Sequence, residues 1–193
     1  MRSRLDVKFC AFLATSLDGF IARLDGQIDW LEKANHLVPT GEDCGYGDFF
    51  ASVDCLILGR KSFEKVLSFP KWPYGDKKVF VMSRKGITIP ESLTNSVSCT
   101  SKSPSTLRQE LAELGIKKAY VDGGQIVRAF LHAGLLNELT ITKIPVLIHE
   151  GLPLFEKRGF EHEQKPVDTW FELIEVHSWP FGFVQESWKF KPN

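Results

Sequence analysis

Several marks of other protein classes are missing from this chain of 193 residues. Charge of one sign is not in excess: Lys plus Arg and Asp plus Glu each number 24. No net basic field therefore gathers nucleic acid or an anionic membrane, and any bound anion must be held by a local site. The four cysteines, Cys10, Cys44, Cys55 and Cys99, lie far apart and form no C-x-x-C pair. That argues against structural zinc and a disulfide framework, and for a reducing cytoplasmic setting. His36, His132, His149, His162 and His177 show no ligand spacing, so no metal site is expected. No apolar run approaches the length that spans a bilayer. The basic Met1 to Arg4 ahead of the apolar Phe9 to Ala14 suggests a signal peptide, but Asp6 interrupts its approach and Thr15 to Gly19 makes a poor cleavage site. A first β-strand is expected there instead. Familiar nucleotide signatures are absent too, with no G-x-G-x-x-G after the first strand and no G-x-x-x-x-G-K-[ST].

What is present describes a globular protein, 43% hydrophobic and 25% charged. The length suits one domain over residues 1–193 with a sizeable core. Val7 to Thr15 reads as a buried strand closed by the turn Ser16-Leu17-Asp18-Gly19. A long polar loop follows to about Gly45, broken by a short helix near Asp29 to Asn35. Tyr46 to Ser52 reads as a short helix, Val53 to Leu58 as a strand ending in Gly59, and Arg60 to Leu67 as a helix with Phe63, Val66 and Leu67 on one face. The order strand, turn, helix recurs through Lys78 to Met82, Val97 to Cys99, Pro104 to Leu114 and Lys117 to Asp122, the next helix running to about Gly134. Ser103 as N-cap with Pro104 behind it marks one helix start clearly. After Leu139 to Ile148 the pattern changes to Phe171 to His177 and Phe183 to Phe190, a terminal antiparallel hairpin.

Three segments have one logic: Gly59-Arg60-Lys61-Ser62, Ser83-Arg84-Lys85 and Asp122-Gly123-Gly124-Gln125. In each a core strand releases the chain beside an anion-competent group, and ligands of open α/β sheets bind outside the carboxyl ends of the strands. Each also has a plainer reading. The paired glycines serve as a tight turn through positive φ, or leave backbone N–H groups at a helix start bare for a phosphate. Arg60 and Lys61 are solvated or compensated by a bound anion, and Ser83 to Gly86 is a polar turn or a phosphate clamp.

The four segments Ala14-Thr15-Ser16-Leu17-Asp18-Gly19-Phe20-Ile21-Ala22, Leu58-Gly59-Arg60-Lys61-Ser62-Phe63-Glu64, Val81-Met82-Ser83-Arg84 and Val121-Asp122-Gly123-Gly124 together resemble the reductase domain of the riboflavin-biosynthesis bifunctional enzyme and its stand-alone, dihydrofolate reductase-like relatives. The resemblance runs from about Val7 to His149. It implies a three-layer dihydrofolate reductase-like α/β fold, with a central mixed, mostly parallel sheet, helices on both faces and a C-terminal antiparallel hairpin. It also implies NADPH as cofactor. Ala14, Ser16, Asp18 and Gly19 would border the nicotinamide, and Gly59, Arg60, Lys61 and Ser62 would approach the phosphates. Ser83 and Arg84 would hold the 2′-phosphate, while Gly123, Gly124, Gln125 and Ile126 would cradle the pyrophosphate. The planar guanidinium of Arg84 is an independent reason to expect NADPH over NADH.

For the proton donor, Asp48 occupies roughly the place of the pterin-facing carboxylate of dihydrofolate reductases, and Asp29 is a second candidate. Trp30, Tyr46 and Phe49 are candidate walls for a flat heterocycle. The zinc deaminase signature H-x-E with P-C-x-x-C is absent, and the region before Tyr46 does not match the folate-binding loop. Three readings follow: an NADPH-dependent reductase of a pterin- or pyrimidine-like heterocycle, a stand-alone pyrimidine reductase of riboflavin synthesis, or a nucleotide-binding protein that keeps the fold without catalysis. A homodimer through the aromatic-rich terminal hairpin is expected, with no nucleic-acid partner and no membrane.

Overall fold

The computed structural model describes residues 7–155 and 168–191. His162, one of the histidines weighed above, lies outside them. The strands are β1 (Lys8–Ser16), β2 (Phe20–Ala22), β3 (Cys55–Gly59), β4 (Lys78–Met82), β5 (Val97–Thr100), β6 (Lys118–Asp122), β7 (Leu136–Ile144), β8 (Leu152–Pro153), β9 (Trp170–Ser178) and β10 (Val184–Lys191). The helices are α1 (Asp29–Ala34), α2 (Tyr46–Ala51), α3 (Arg60–Leu67), α4 (Pro104–Glu113) and α5 (Gly124–His132). Eight strands form one mixed, mostly parallel sheet in the order β5-β4-β3-β6-β1-β7-β10-β9, and β2 pairs with β8 in a separate ribbon.

By backbone contacts the chain divides into two compact units, Met1–Phe12 with Gly45–Asn137, and Leu13–Cys44 with Glu138–Asn193. The electrically neutral sequence splits unequally between them. The first unit carries 16 Lys and Arg against 9 Asp and Glu, the second 8 against 15, giving +7 and −7. The balance that excludes a basic field for the whole chain thus conceals a cationic unit.

In the first unit, β4, β3, β6 and the start of β1 run parallel. Parallel strands covered on both faces require continuous apolar runs, which Cys55-Leu56-Ile57-Leu58 and Val79-Phe80-Val81 supply; all seven are buried. Leu56, Leu58, Phe63, Val79, Val81, Val97 and Tyr120 belong to one core. Helix α4 begins where its cap predicts: the Ser103 hydroxyl accepts from the Thr106 N–H, with Pro104 in the first turn.

In the second unit, β10 pairs antiparallel with both β7 and β9. Trp30, Ala34, Cys44, Ile144, Ile148 and Phe183 form its core. Strand β7 starts at Leu136 and stops at Ile144, because a tight turn from Val146 N–H to the Ile144 carbonyl and a positive φ at His149 end the extended chain. One expectation is corrected there. The loop after Ser16 is not wholly irregular, since Phe20–Ala22 pairs with Leu152–Pro153 and the Leu154 N–H donates to the Gly19 carbonyl.

Candidate active site

The registers of the parallel strands place three exits side by side. Gly59 at the end of β3 pairs with Met82 at the end of β4, and Leu58 pairs with Asp122 at the end of β6. Ser83 continues the β4 ladder, its N–H donating to Thr100. Gly59-Arg60, Ser83-Arg84 and Asp122-Gly123 therefore leave one edge of the first unit, as their common pattern suggested.

Helices α3 and α5 start from two of these exits, and each uses the other's glycine. Gly123 has φ 89° and ψ 130°, a region that side chains rarely tolerate, and a Cβ there would run into the Ser62 hydroxyl of α3. In return, a Cβ on Gly59 would stand 3.2 Å from Ile126 Cγ1 of α5. The first reason for the missing side chains is thus the close approach of two helix starts. Neither helix has a side-chain N-cap, in contrast to α4, so their first-turn N–H groups present donors and positive dipole ends together.

Around this edge, Arg60 pairs with Glu64 one turn along α3 at 2.7 Å, an exposed contact that a phosphate can displace at little cost. Lys61, Arg84 and Gln125 are exposed. The Ser83 hydroxyl donates to the Gly86 carbonyl at 2.9 Å, closing its own turn. Gly124 is buried as the first residue of α5.

Next to Gly123 lies a group not singled out as a catalytic candidate. Burial raises the Asp122 pKa above its ordinary value, against hydrogen bonds from the Gly123 N–H and Tyr120. Three phenols are coupled to it electrostatically: Tyr46 from α2, Tyr74 from the segment after α3, and Tyr120 from β6. Burial pushes the Tyr46 hydroxyl up to about 12 and those of Tyr74 and Tyr120 higher still, so all three stay neutral donors near neutral pH. The rings form one aromatic wall: Phe12 packs on Tyr46 (5.7 Å) and Phe49 (4.9 Å), Phe49 on Tyr120 (5.0 Å), and Phe50 stacks between Tyr46 (5.8 Å) and Tyr74 (6.1 Å). Tyr46 and Phe49, expected as pocket walls, belong to it.

Asp48 is on the same helix but exposed, away from the face carrying Tyr46, Phe49 and Phe50. Asp29 belongs to the second unit. It is held by Arg23 at 2.6 and 3.1 Å and by Lys33, which lower its pKa to about 2. A carboxylate so paired holds no proton to give near neutral pH. Trp30 is buried in the second core with its indole N–H unpartnered.

Also in the second unit, Ser16, Asp18 and Gly19 make a tight turn. The Gly19 N–H donates to the Ser16 carbonyl and the Phe20 N–H to Ser16 Oγ. Burial works against the Asp18 charge, but hydrogen bonds from Ser16, the His149 N–H and the Ile148 N–H outweigh it, and the pKa falls below the usual value. Ala14 precedes this turn on β1 and packs against the second core. Among the described residues no group of His, Cys, Asp and Glu is arranged to hold a metal, and no helix is long and apolar enough to cross a membrane.

A mixed, mostly parallel sheet with paired helix starts at its strand exits and a closing antiparallel hairpin defines a dihydrofolate reductase-like fold. Residues 8–182 match the RibD C-terminal domain, and the chain belongs to that family. The protein YwjB of Bacillus subtilis is 35% identical over 158 residues, covering 79% of this chain and 85% of its own. A protein of Shewanella sp. PV-4 provisionally ascribed to riboflavin biosynthesis superposes with a TM-score of 0.85 at 30% identity, over 96% of this chain and all of its own. The diaminohydroxyphosphoribosylaminopyrimidine deaminase/5-amino-6-(5-phosphoribosylamino)uracil reductase of Thermotoga maritima shares the fold at 12% identity, with a TM-score of 0.71 over 96% of this chain and 57% of that longer one.

Proposed function

We propose that the chain is an NADPH-dependent reductase of a small pterin- or pyrimidine-like heterocycle. The observation that carries this reading is the coincidence, at one sheet edge, of two uncapped helix starts, the cationic Arg60, Lys61 and Arg84, and the half-buried carboxyl of Asp122 with its raised pKa. The arrangement fits a dinucleotide phosphate: first-turn N–H groups of α3 and α5 would meet the pyrophosphate, and Arg84 beside Ser83 would take the 2′-phosphate.

When bound, the reduced nicotinamide supplies a hydride; the chain's own task is to orient the acceptor and deliver a proton. Asp122 does the second, because a carboxyl with a raised pKa retains its proton closer to working pH than the ion-paired Asp29. The aromatic wall of Tyr46, Phe49 and Phe50 gives a flat ring its stacking surface. A second reading, reduction of a phosphoribosylamino-uracil as in riboflavin synthesis, is favoured by the Shewanella and Thermotoga relatives. In the third, the fold binds nucleotide without reducing anything.

The test is oxidation of NADPH by purified protein with dihydropterins and with the phosphoribosylamino-uracil in parallel. Turnover of one class assigns the substrate, and Asp122→Asn should lower kcat by about a hundredfold or more. Full activity in that variant would remove Asp122 from the chemistry, and NADPH binding with no turnover of either class would favour the third reading. We further propose a cytoplasmic homodimer that covers the edge strand β9, where Trp170, Leu173, Ile174 and Val176 are exposed. A monomeric mass in solution would refute it.

A further inference from the structure

Alternate residues of a strand, and directly paired residues of neighbouring strands, share a face of the sheet, so the registers of β10 sort the terminal hairpin into two faces. One face carries Val184, Glu186, Trp188 and Phe190, with Val176, Leu173 and Phe171 opposite the last three on β9, and Lys143, Ile141 and Leu139 opposite the first three on β7. The rings of Phe171 and Phe190 meet there, 6.0 Å apart. The other face is polar: Gln185, Ser187 and Lys189 lie beside His177, Glu175 and Glu172, with Gln185 bonded to Thr142 and Ser187 to Thr140. In a regular strand Leu173 and Val176, three residues apart, would point to opposite faces. Between Ser187 and Trp188, however, the partner on β9 steps from Glu175 to Leu173, which makes Ile174 the extra residue of a bulge and brings both apolar side chains to one face. That face is covered at β7 and open at the sheet edge, since Leu139 and Ile141 are buried while Leu173 and Val176 are 49% and 53% exposed.

We infer that this apolar face packs on the same face of a second copy about a two-fold axis, an inference that rests on the homodimer reading and assigns its surface. The one carboxylate on the face is Glu186, and both of its oxygens are engaged within the chain. Lys143 Nζ stands 2.8 Å from Oε1, and the Trp188 indole N–H donates to Oε2 at 3.3 Å. A two-fold interface sets a surface against itself, so an uncompensated charge near its centre would meet its own sign. The second unit carries −7 over all, yet this face pairs its single negative group with its single positive one. A partner recognised by charge finds its groups on the opposite face, at Glu172, Glu175 and Lys189. Pairing of two β9 edges alone would leave Val184 and Trp188, one strand in, outside the contact; face-to-face packing covers them together with Leu173 and Val176.

Sedimentation of the native protein over a range of concentrations should give twice the chain mass. Two substitutions should give monomers where the native chain is dimeric: Leu173→Lys on β9, and Val184→Lys one strand in from the edge. Each buries a lysine against an apolar surface that offers it no partner, so the dissociation constant should rise roughly a hundredfold or more. Glu175→Lys puts the same side chain on the polar face and should leave association unchanged. A second measurement serves where a lysine variant does not fold: dilution of the native dimer should move tryptophan emission to longer wavelength as Trp188 meets water, and Trp188→Phe should remove that shift. A native monomer refutes the homodimer reading and this inference with it. A dimer that survives Val184→Lys, or an emission shift that survives Trp188→Phe, overturns the inference alone and leaves the dimer to the β9 edge or another surface.

Discussion

Replacing Gly123 with alanine separates the two reasons for a glycine at the start of α5. The backbone there has φ 89° and ψ 130°, and holding a residue with a Cβ in so sparsely populated a region costs about 1–3 kcal/mol. The new methyl also meets the Ser62 hydroxyl, while Ser62 Cβ, at 3.6 Å, stays at ordinary contact distance. Ser62 can turn its hydroxyl away, which limits the steric share to about 0.5–1.5 kcal/mol. The backbone share therefore dominates, and the sum is about 2–4 kcal/mol, a large fraction of the roughly 5–15 kcal/mol of a typical domain. Urea unfolding followed by tryptophan fluorescence reads the loss, as does a Tm lowered by roughly 4–16 °C. Adding Ser62→Ala should return only the steric share, less than half of the loss. A Gly123→Ala variant within about 0.5 kcal/mol of the native protein, where ordinary surface substitutions fall, would refute the strained geometry. Complete recovery with Ser62→Ala would show that contact, not backbone, sets the cost.

Other perturbations follow from the same geometry. Arg23→Ala removes the main support of the Asp29 charge, so the Asp29 midpoint should climb from about 2 toward 3.8 in a carboxyl NMR titration. Because the folded pKa is depressed, the stability that Asp29 contributes is present above the unfolded value and lost as pH falls through about 2; the variant should lose that acid-side dependence. Asp122 has the opposite sign. Its folded pKa is raised, so its contribution is fully present below 3.8 and is lost as pH rises through the folded value, and Asp122→Asn should flatten that decline in urea midpoints. On Gly59, an added methyl would sit 3.2 Å from Ile126 Cγ1; Gly59→Ala should cost about 1 kcal/mol, and less than that when made in an Ile126→Ala chain, which lacks Cγ1, by urea unfolding.

The elements most legible from sequence are those whose signals are local. Arg60–Leu67 and Lys78–Met82 match their expected bounds, because helical spacing and a β-branched run bounded by turn residues need no distant partner. The start of α4 was legible for the same reason, its cap and proline lying within four residues. The β2–β8 ribbon was not, since Phe20–Ala22 and Leu152–Pro153 are each too short to show a period and find one another only in the folded chain. The shared edge of Gly59, Ser83 and Gly123 could be anticipated from the repeated strand-exit pattern. The reciprocal packing of Ser62 on Gly123 and Ile126 on Gly59 could not, because it joins two helices far apart in sequence.

The carboxyl next to the glycine pair shows the same limit. Asp122 was visible as the last residue of a strand, but its raised pKa comes from desolvation in the folded chain, where Tyr46, Tyr74 and Tyr120 of three separate segments feel its charge. Sequence position drew attention to Asp48 instead, whose side chain the short α2 helix leaves exposed. The charge separation has a similar origin: equal totals hide a cationic unit until the fold assigns each residue to one.

The central claim, an NADPH site at the exits of β3, β4 and β6, is tested most directly by titrating native protein and Arg84→Ala with NADPH and with NADH, following quenching of the five tryptophans. The native protein should bind NADPH more tightly than NADH. Arg84→Ala should weaken NADPH by roughly tenfold to a hundredfold, the worth of one charge-assisted contact, and leave NADH nearly unchanged. Equal losses for both cofactors would remove Arg84 from the 2′-phosphate, and failure of the native protein to bind either would leave the paired helix starts as packing alone.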